Sequence, residues 1–385
     1  GFIDPGNWAA NVAAGADYGY ALLWMVTLST LMLILIQHNA AHLGIATGLC
    51  LSEASTKHFS PWKSRLFLSS AMAAAVSTAL AEILGAAIGL NMLFGLPLGI
   101  GVLLAALSSA FMLFSNSYKR LERWIIGFVS LIGLAFLFEL SLVHLDWTSG
   151  AVGWVLPSMP QGSLPIIMSV LGAVVMPHNI FLHSEVIQSR QWNLEGEEVI
   201  QKQLKYEFFD TLFAMVVGWA INSAMILVAA SVFHANNITV TELPQAEATL
   251  RPLLGNGAAM VFAIALVLAG FSSSITAAMA GGSIFAGIFM EPFDLNDSHS
   301  RIGVIITMAG ALLAVFLLSD PFRGIIWSQI VLSIQLPWTI FALVSLTSSG
   351  NVMGKFANRR SEKVLLWSTA GIVSFLNVML LIQFL

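Results

Sequence analysis

Apolar segments of about twenty residues, the length that lets a helix cross a bilayer, follow one another along almost the whole chain. Because the hydrocarbon core has no water for free backbone N–H and C=O groups, such segments must be helical. Charged residues make up only 9% of the chain, against roughly 25% in soluble domains, so a soluble globular protein is excluded. The sequence predicts an all-α polytopic membrane protein with one domain, 1–385, that contacts the lipid bilayer and no nucleic acid.

The apolar pattern predicts about eleven transmembrane helices. The first is short because Gly1 already lies within an apolar motif, so we expect residues upstream of it, and no cleavable signal peptide is visible. The polar segment 188–206 is expected to form a short helix along the cytoplasmic surface. The predicted spans are approximately 1–16, 20–43, 66–94, 98–115, 121–143, 165–187, 207–233, 257–288, 301–319, 324–347 and 363–385.

The Lys and Arg residues are distributed unevenly between the two sets of loops. If the chain starts in the cytoplasm, fourteen of the 16 fall on the cytoplasmic side, and only Arg251 and Arg323 lie outside. Cytoplasmic loops of membrane proteins are enriched in Lys and Arg, so we predict a cytoplasmic amino terminus, and we expect a bacterial plasma membrane. The fourteen are Lys57, Lys63, Arg65, Lys119, Arg120, Arg123, Arg190, Lys202, Lys205, Arg301, Lys355, Arg359, Arg360 and Lys363.

Two spans carry helix-breaking motifs at corresponding places. Span one contains Asp4-Pro5-Gly6-Asn7 and span six contains Met176-Pro177-His178-Asn179. Aligning the two prolines also aligns the two asparagines and places Asp4 on Met176, five spans apart. Proline removes a backbone donor and clashes with the preceding turn. The pattern predicts a five-plus-five inverted repeat, about 1–143 and about 165–347, with an extra helix at about 363–385 and with helices one and six unwound at mid-membrane.

The residues at these breaks predict a cation site. The candidate ligands are the Asp4 carboxylate, the Asn7 side-chain carbonyl, the Ala173 backbone carbonyl and the Met176 sulfur. A charge within a membrane span is costly and usually functional. Oxygen ligands alone suit Mg²⁺ or Ca²⁺, whereas a thioether favours softer transition metals such as Mn²⁺ or Fe²⁺.

The two motifs resemble those of the Nramp family of divalent metal transporters. Further similarity lies in 43–48, 81–85, 182–184 and 328–333. The resemblance covers essentially the whole chain. It implies a LeuT-like fold and secondary transport of metal into the cytoplasm by alternating access, often by symport with protons. It also implies that Asp4, Asn7, Ala173 and Met176 are the metal ligands, joined by Gln329 of span ten when the site is occluded.

Two positions depart from the family pattern. Span three usually carries an Asp three residues before Glu82, where this chain has Ala79, and span eight has Phe271 where the family usually has Gln. Glu82, His178 and Arg301 are candidates for a proton pathway, and His178 is equally a candidate for a structural role at the break. With Ala79 in place of an acid, we expect proton coupling to be weak or absent. His38, His42 and His183 are expected to be interfacial or structural.

Several other functions are alternatives to the transport of transition metals. Nramp-related Mg²⁺ transporters without proton coupling are expected to lack the ligand Met, so Mg²⁺ is the second candidate ion. A LeuT-fold Na⁺-coupled amino-acid symporter is the alternative from a different class, although Asp4 would repel a substrate carboxylate. An enzyme is not expected, because no His-Glu-x-x-His, Gly-x-Ser-x-Gly or Gly-rich phosphate loop is present. A channel would need ligands from several subunits. No cofactor is expected besides the transported ion.

Overall fold

A computed structural model describes residues 4–115, 127, 130, 131, 133–138, 140–251 and 255–384. Within these ranges the regular structure is entirely helical. The helices are α1 Pro5–Tyr18, α2 Leu23–Thr47, α3 Leu51–His58, α4 Pro61–Phe94, α5 Leu98–Phe114, α6 Trp147–Val155, α7 Leu164–Val174, α8 Pro177–Gln188, α9 Glu197–Val232, α10 Ala258–Gly287, α11 Ser298–Phe316, α12 Pro321–Thr347, α13 Gly350–Met353 and α14 Arg360–Phe384. Short 3₁₀ segments lie at Trp192–Leu194, His234–Asn236, Leu243–Thr249, Gly255–Gly257 and Gly354–Phe356.

Eight helical segments of the described chain are long and apolar enough to cross a membrane. They are Leu23–Thr47, Pro61–Phe94, Leu164–Gln188, Glu197–Asn236, Gly255–Gly287, Ser298–Phe316, Pro321–Thr347 and Arg360–Gln383, and each corresponds to a predicted span. The apolar helix α5 is shorter, with 17 residues. Ten of the 23 residues of the predicted span 121–143 lie outside the described residues, as do positions 1–3 of the first span and Lys119, Arg120 and Arg123, which were predicted to be cytoplasmic. The prediction of an all-α polytopic membrane protein is confirmed.

Proline and glycine mark the ends of the long helix α4. Pro61 occupies its first turn, where no intrahelical donor is needed. The helix ends before Gly95, whose φ of 65° lies in the left-handed region that favours glycine after a helix. The start at Pro61 adds five residues to the predicted span and continues the helix beyond the apolar stretch.

The polar segment 188–206 differs from its prediction of a separate surface helix. A 3₁₀ turn at Trp192–Leu194 is followed by α9, a single 36-residue helix that begins at Glu197. Gly196 precedes it in extended conformation. Two glutamates occupy the first turn, where their negative charges interact favourably with the positive end of the helix dipole. The segment from Glu197 to Val217 contains no proline or glycine, so the helix continues into the apolar part. The short helices α3 and α6 were not predicted.

The half-helices that carry the two motifs lie inside the bundle. Helix α1 packs against α7, α4 and α12 at one end and along α9, while α10 runs along α4. Small residues permit these close approaches, as is common between membrane helices. A Cβ on Gly270 would meet the backbone of α4 at Glu82 and Ala86. This packing brings the start of α1, the α7–α8 junction, α4 and α12 together at one place.

Candidate metal-binding site

The first motif forms the beginning of α1. Asp4 is the N-cap residue, with an extended backbone (φ −123°, ψ 165°), and Pro5 occupies the first helical turn. The Asp4 carboxylate accepts a hydrogen bond from the Asn7 backbone N–H at 2.8 Å through Oδ1, and one from Asn7 Nδ2 at 3.1 Å through Oδ2. The first motif therefore caps a helix with a buried carboxylate, and Asp4 is only 1% exposed.

The second motif forms the junction between α7 and α8. Helix α7 ends at Val174, Val175 and Met176 adopt non-helical conformations, and α8 begins at Pro177. Met176 therefore holds the same N-cap position before α8 that Asp4 holds before α1. The parallel extends to the asparagines, because Asn179 Nδ2 points to the Met176 sulfur at 3.1 Å. The predicted break in helix six is present.

Asn7 joins the two breaks. Its Nδ2 also donates to the Ala173 carbonyl at 3.0 Å, across 166 residues of sequence. Asp4, Asn7 and the Ala173 carbonyl, three of the predicted ligands, therefore lie within one hydrogen-bonded group. Their burial is nearly complete, since Asn7 is 0% exposed and Ala173 is 1% exposed.

The other two predicted ligands lie beside this group. The Gln329 side chain of α12 lies so close to Gly6 that a Cβ there would collide with it. The backbone carbonyl of Gln329 likewise fills the space beside Gly172, which is one residue before Ala173. Met176 follows Ala173 by three residues, and its side chain packs with Ala74 and Leu332 in a small apolar cluster.

Two side-chain oxygens in this group have no hydrogen-bond partner among the described residues. They are Asn7 Oδ1 and Gln329 Oε1, both buried. An unpartnered buried oxygen costs free energy unless a donor or a cation satisfies it. Together with the Asp4 carboxylate, these oxygens offer a cation a charged ligand and neutral carbonyl ligands in a dry environment, with a thioether at the adjoining break.

Glu82 of α4 lies close to the same place. The residue three positions on, Gly85, is in contact with Pro5, so α4 passes directly beside the start of α1. Glu82 is 1% exposed, and neither carboxylate oxygen has a hydrogen-bond partner among the described residues. Ala79 is fully buried on the same helix. The adjacent Thr78 forms a 2.9 Å hydrogen bond with His178 Nδ1, which connects α4 to the first turn of α8.

Arg301 lies apart from this buried group. It is exposed on the first turn of α11, and its Nε donates to the Leu295 carbonyl at 2.6 Å. Of the three residues predicted for a proton pathway, Glu82 and His178 are thus buried beside the helix breaks, while Arg301 lies at the surface.

One polar group away from the helix breaks was not predicted as functional. His38, His183 and Thr211 all contact the carboxylate of Glu207. His38 and Glu207 are 169 residues apart. No motif or spacing in the sequence connects them.

The fold and the buried polar group together define a class of protein: a helical membrane protein in which an interrupted helix, α7–α8, meets the start of α1 at a polar group, an arrangement typical of secondary transporters. The family model described as "Natural resistance-associated macrophage protein-like" matches residues 1–383. The chain belongs to this family, Nramp, as its motifs predicted.

Relatives and solved structures agree with this membership. The chain is 38% identical to the divalent metal cation transporter MntH of Granulibacter bethesdensis, over 99% of this chain and 86% of that protein. It is 37% identical to MntH of Caldanaerobacter subterraneus, over 99% and 90%. The manganese transporter of Eremococcus coleocola superposes with a TM-score of 0.78 at 25% identity, covering 98% of this chain and 83% of that one. The transporter Mhp1 shares the fold with a TM-score of 0.56 at 15% identity, over 89% and 77%.

Proposed function

We propose that this protein carries divalent transition-metal ions across a membrane. One observation supports this function most strongly: the Asp4 carboxylate, Asn7 and the Ala173 carbonyl form a buried group at two helix breaks, with acceptor oxygens of Asn7 and Gln329 left unpartnered. A cation satisfies these oxygens, whereas an anionic substrate is repelled by Asp4. The names of the relatives, divalent metal cation transporters and a manganese transporter, agree with this function.

The ligands in this proposal are Asp4, Asn7, the Ala173 carbonyl and Met176, with Gln329 completing the shell in the occluded state. Asp4 supplies the charge that offsets dehydration of the ion. The Met176 sulfur is a poor ligand for Mg²⁺ and a fair one for Mn²⁺ and Fe²⁺. We therefore expect Mn²⁺ or Fe²⁺ to be carried in preference to Mg²⁺, which remains the second candidate.

The direction of transport follows from charge. With the amino terminus in the cytoplasm, as the distribution of Lys and Arg favours, an inside-negative potential drives a cation inward with about 2.3 kcal/mol per charge per 100 mV. For a divalent ion this free energy is twice as large, so the membrane potential alone can drive uptake by alternating access.

The relatives come from bacteria, so we expect a bacterial plasma membrane. We further propose that the two repeats, about 1–143 and about 165–347, act as the two halves of the mechanism.

Radiolabelled uptake tests the proposal against its alternative. Purified protein in proteoliposomes, held at a fixed K⁺ diffusion potential, should accumulate ⁵⁴Mn²⁺ well above protein-free vesicles and should not accumulate alanine. Unlabelled Fe²⁺ and Cd²⁺ should compete at lower concentrations than Mg²⁺. Uptake of Na⁺ with alanine and none of Mn²⁺ would instead assign the chain to the amino-acid symporters, and stronger competition by Mg²⁺ would assign it to Mg²⁺ transport.

A further inference from the structure

The carboxylate of Glu207, on α9, is the centre of a second titratable group. It accepts a hydrogen bond from Thr211 Oγ1 at 2.6 Å, and its oxygens lie 2.5 Å from His38 Nδ1 of α2 and 3.3 Å from His183 Nε2 of α8. Glu207 is 8% exposed, so its charge lies in a region where charges are costly and usually functional. Side chains from two other helices, α2 and α8, therefore meet the carboxylate of α9 outside the metal site.

The hydrogen bonds fix how His183 faces Glu207. Gln37 Nε2, which can only donate, lies 3.5 Å from His183 Nδ1, so Nδ1 accepts and the neutral ring carries its hydrogen on Nε2. That hydrogen points to Glu207 Oε1. A proton that reaches His183 can therefore bind Nδ1 in place of the long hydrogen bond from Gln37.

His183 lies on the half-helix that starts at the metal site. It is seven residues after Met176 on α8, which at 1.5 Å per residue corresponds to about 10 Å along the helix axis. His183 is therefore the next imidazole on α8 towards the cytoplasm after His178, in the orientation proposed above.

The other end of the group opens into a polar cavity. A cavity of about 560 Å³ lies between α2, the first turns of α9 and the start of α14, and His38 forms part of its wall. Lys205, Arg359 and Glu362 line the same cavity and are exposed at the surface, so the cavity reaches the exterior of the protein. The charged and titratable residues around His38 there are His42, Glu197, Lys205, Lys355, Arg359 and Glu362.

We propose that His183, Glu207 and His38 form a proton exit relay, which carries protons that accompany the metal from the inner half of α8 to the cytoplasmic cavity. This inference rests on the proposed metal transport. It replaces the route along α4, where Ala79 leaves Glu82 without a neighbouring acid. It also gives a function to His38 and His183, which were expected from the sequence to be interfacial or structural, and to Glu207, for which the sequence predicted no role.

In the relay, each N–H or O–H bond that breaks is matched by one that forms. A proton binds His183 Nδ1, and the Nε2–H bond breaks as an O–H bond forms at Glu207 Oε1. In the starting arrangement His38 carries one hydrogen on Nε2, and one further proton is shared between Glu207 Oε2 and His38 Nδ1 across their 2.5 Å contact. As Oε1 receives its proton, the shared proton leaves Oε2 and forms a full N–H bond at His38 Nδ1, and the Nε2–H proton of His38 passes to water in the cavity. One proton enters and one leaves. Rotation of the Glu207 carboxyl group, together with tautomer exchange of His183 and His38 through water, restores the starting arrangement, since both imidazoles are partly exposed.

The test measures protons and metal in the same vesicles. Proteoliposomes with a trapped pH dye receive ⁵⁴Mn²⁺ under a fixed K⁺ diffusion potential, and the result is the number of protons that enter per Mn²⁺ ion. Glu207→Gln keeps the shape of the side chain but cannot carry a proton, so this ratio should fall at least about fivefold. Thr211→Val removes a hydrogen bond to the same carboxylate and no titratable group, and its ratio should stay within about twofold of the wild-type value. His38→Gln is the second relay variant, and it should lower the ratio as Glu207→Gln does. It replaces Glu207→Gln in the test if the Glu207→Gln protein does not fold.

The outcomes separate the relay from the metal transport on which it rests. Mn²⁺ uptake by the wild-type protein without acidification overturns the relay and leaves metal transport standing. Acidification that is unchanged in both Glu207→Gln and His38→Gln also overturns it, as does an equal fall in Thr211→Val, which would mean that the group is only a structural tie. Absence of Mn²⁺ uptake in the wild type contradicts the proposed function itself.

Discussion

Replacing Met176 separates the chemistry of its sulfur from the space that its side chain fills. The side chain is 2% exposed and packs with Ala74 and Leu332. Met176→Ala removes buried atoms, a change that costs about 2–5 kcal/mol of stability in protein cores. Met176→Leu keeps the volume and removes only the sulfur, at a cost of less than about 1.5 kcal/mol. The leucine variant is therefore the sharper test.

If the sulfur favours transition metals, Met176→Leu should weaken discrimination against Mg²⁺ and Ca²⁺. We expect the concentrations of these ions that halve ⁵⁴Mn²⁺ uptake to fall about tenfold, which corresponds to about 1.4 kcal/mol. Met176→Ala should show the same fall and should retain some Mn²⁺ transport.

The assay is a competition series in proteoliposomes at one fixed membrane potential, with uptake normalised to the amount of reconstituted protein. Wild-type discrimination in both variants would refute the claim that Met176 is a selectivity ligand. Loss of discrimination in Met176→Ala alone would show that volume, and not sulfur, sets the preference.

Three further outcomes follow from the structure. Gly172→Ala should abolish transport, because its Cβ would collide with the Gln329 carbonyl, and thermal unfolding of the purified variant will show whether folding is lost as well. In the proposed topology, an impermeant thiol reagent on intact cells should label Ser158→Cys and leave Glu195→Cys unlabelled; the native Cys50 is buried, and the reverse pattern would overturn the orientation. Ala79→Asp should add a titratable group to α4 and raise the number of protons that enter per Mn²⁺ ion, so an unchanged ratio would show that α4 carries no protons.

The sequence predicted the break between α7 and α8, and the helix start at Pro5, because their cause is local. Pro5 and Pro177 each occupy a helix start, where the missing N–H costs nothing, and the residue before each is held in extended conformation. The repeat offset then predicted that the two breaks belong together, and the hydrogen bond from Asn7 to the Ala173 carbonyl joins them. The span boundaries followed from apolar length, except where α9 continues through a polar stretch that contains no helix breaker.

The contacts that depend on how the helices pack could not be predicted from the sequence. Glu207 meets His38 and His183 only because α2, α8 and α9 pack side by side, and no periodicity in any one helix indicates this. The expectation that Gln329 joins the metal ligands came from resemblance to a family rather than from residue spacing, and its contact with Gly6 was not predicted. The expectation of weak proton coupling considered α4 alone, since Ala79 was the visible departure, and the relay through α9 now makes the opposite prediction for the same measurement.

The most direct test of the central claim is the Mn²⁺ uptake of Asp4→Asn, measured beside Asp17→Asn. Both residues belong to the α1 region, but Asp4 is 1% exposed at the helix break, whereas Asp17 is exposed near the end of α1. If the metal binds where the two broken helices meet, Asp4→Asn should reduce uptake to the level of protein-free vesicles, because a neutral amide cannot offset dehydration of a divalent ion. Asp17→Asn should transport as the wild type does. Uptake by Asp4→Asn at the wild-type rate would contradict the account and would place the metal elsewhere in the protein.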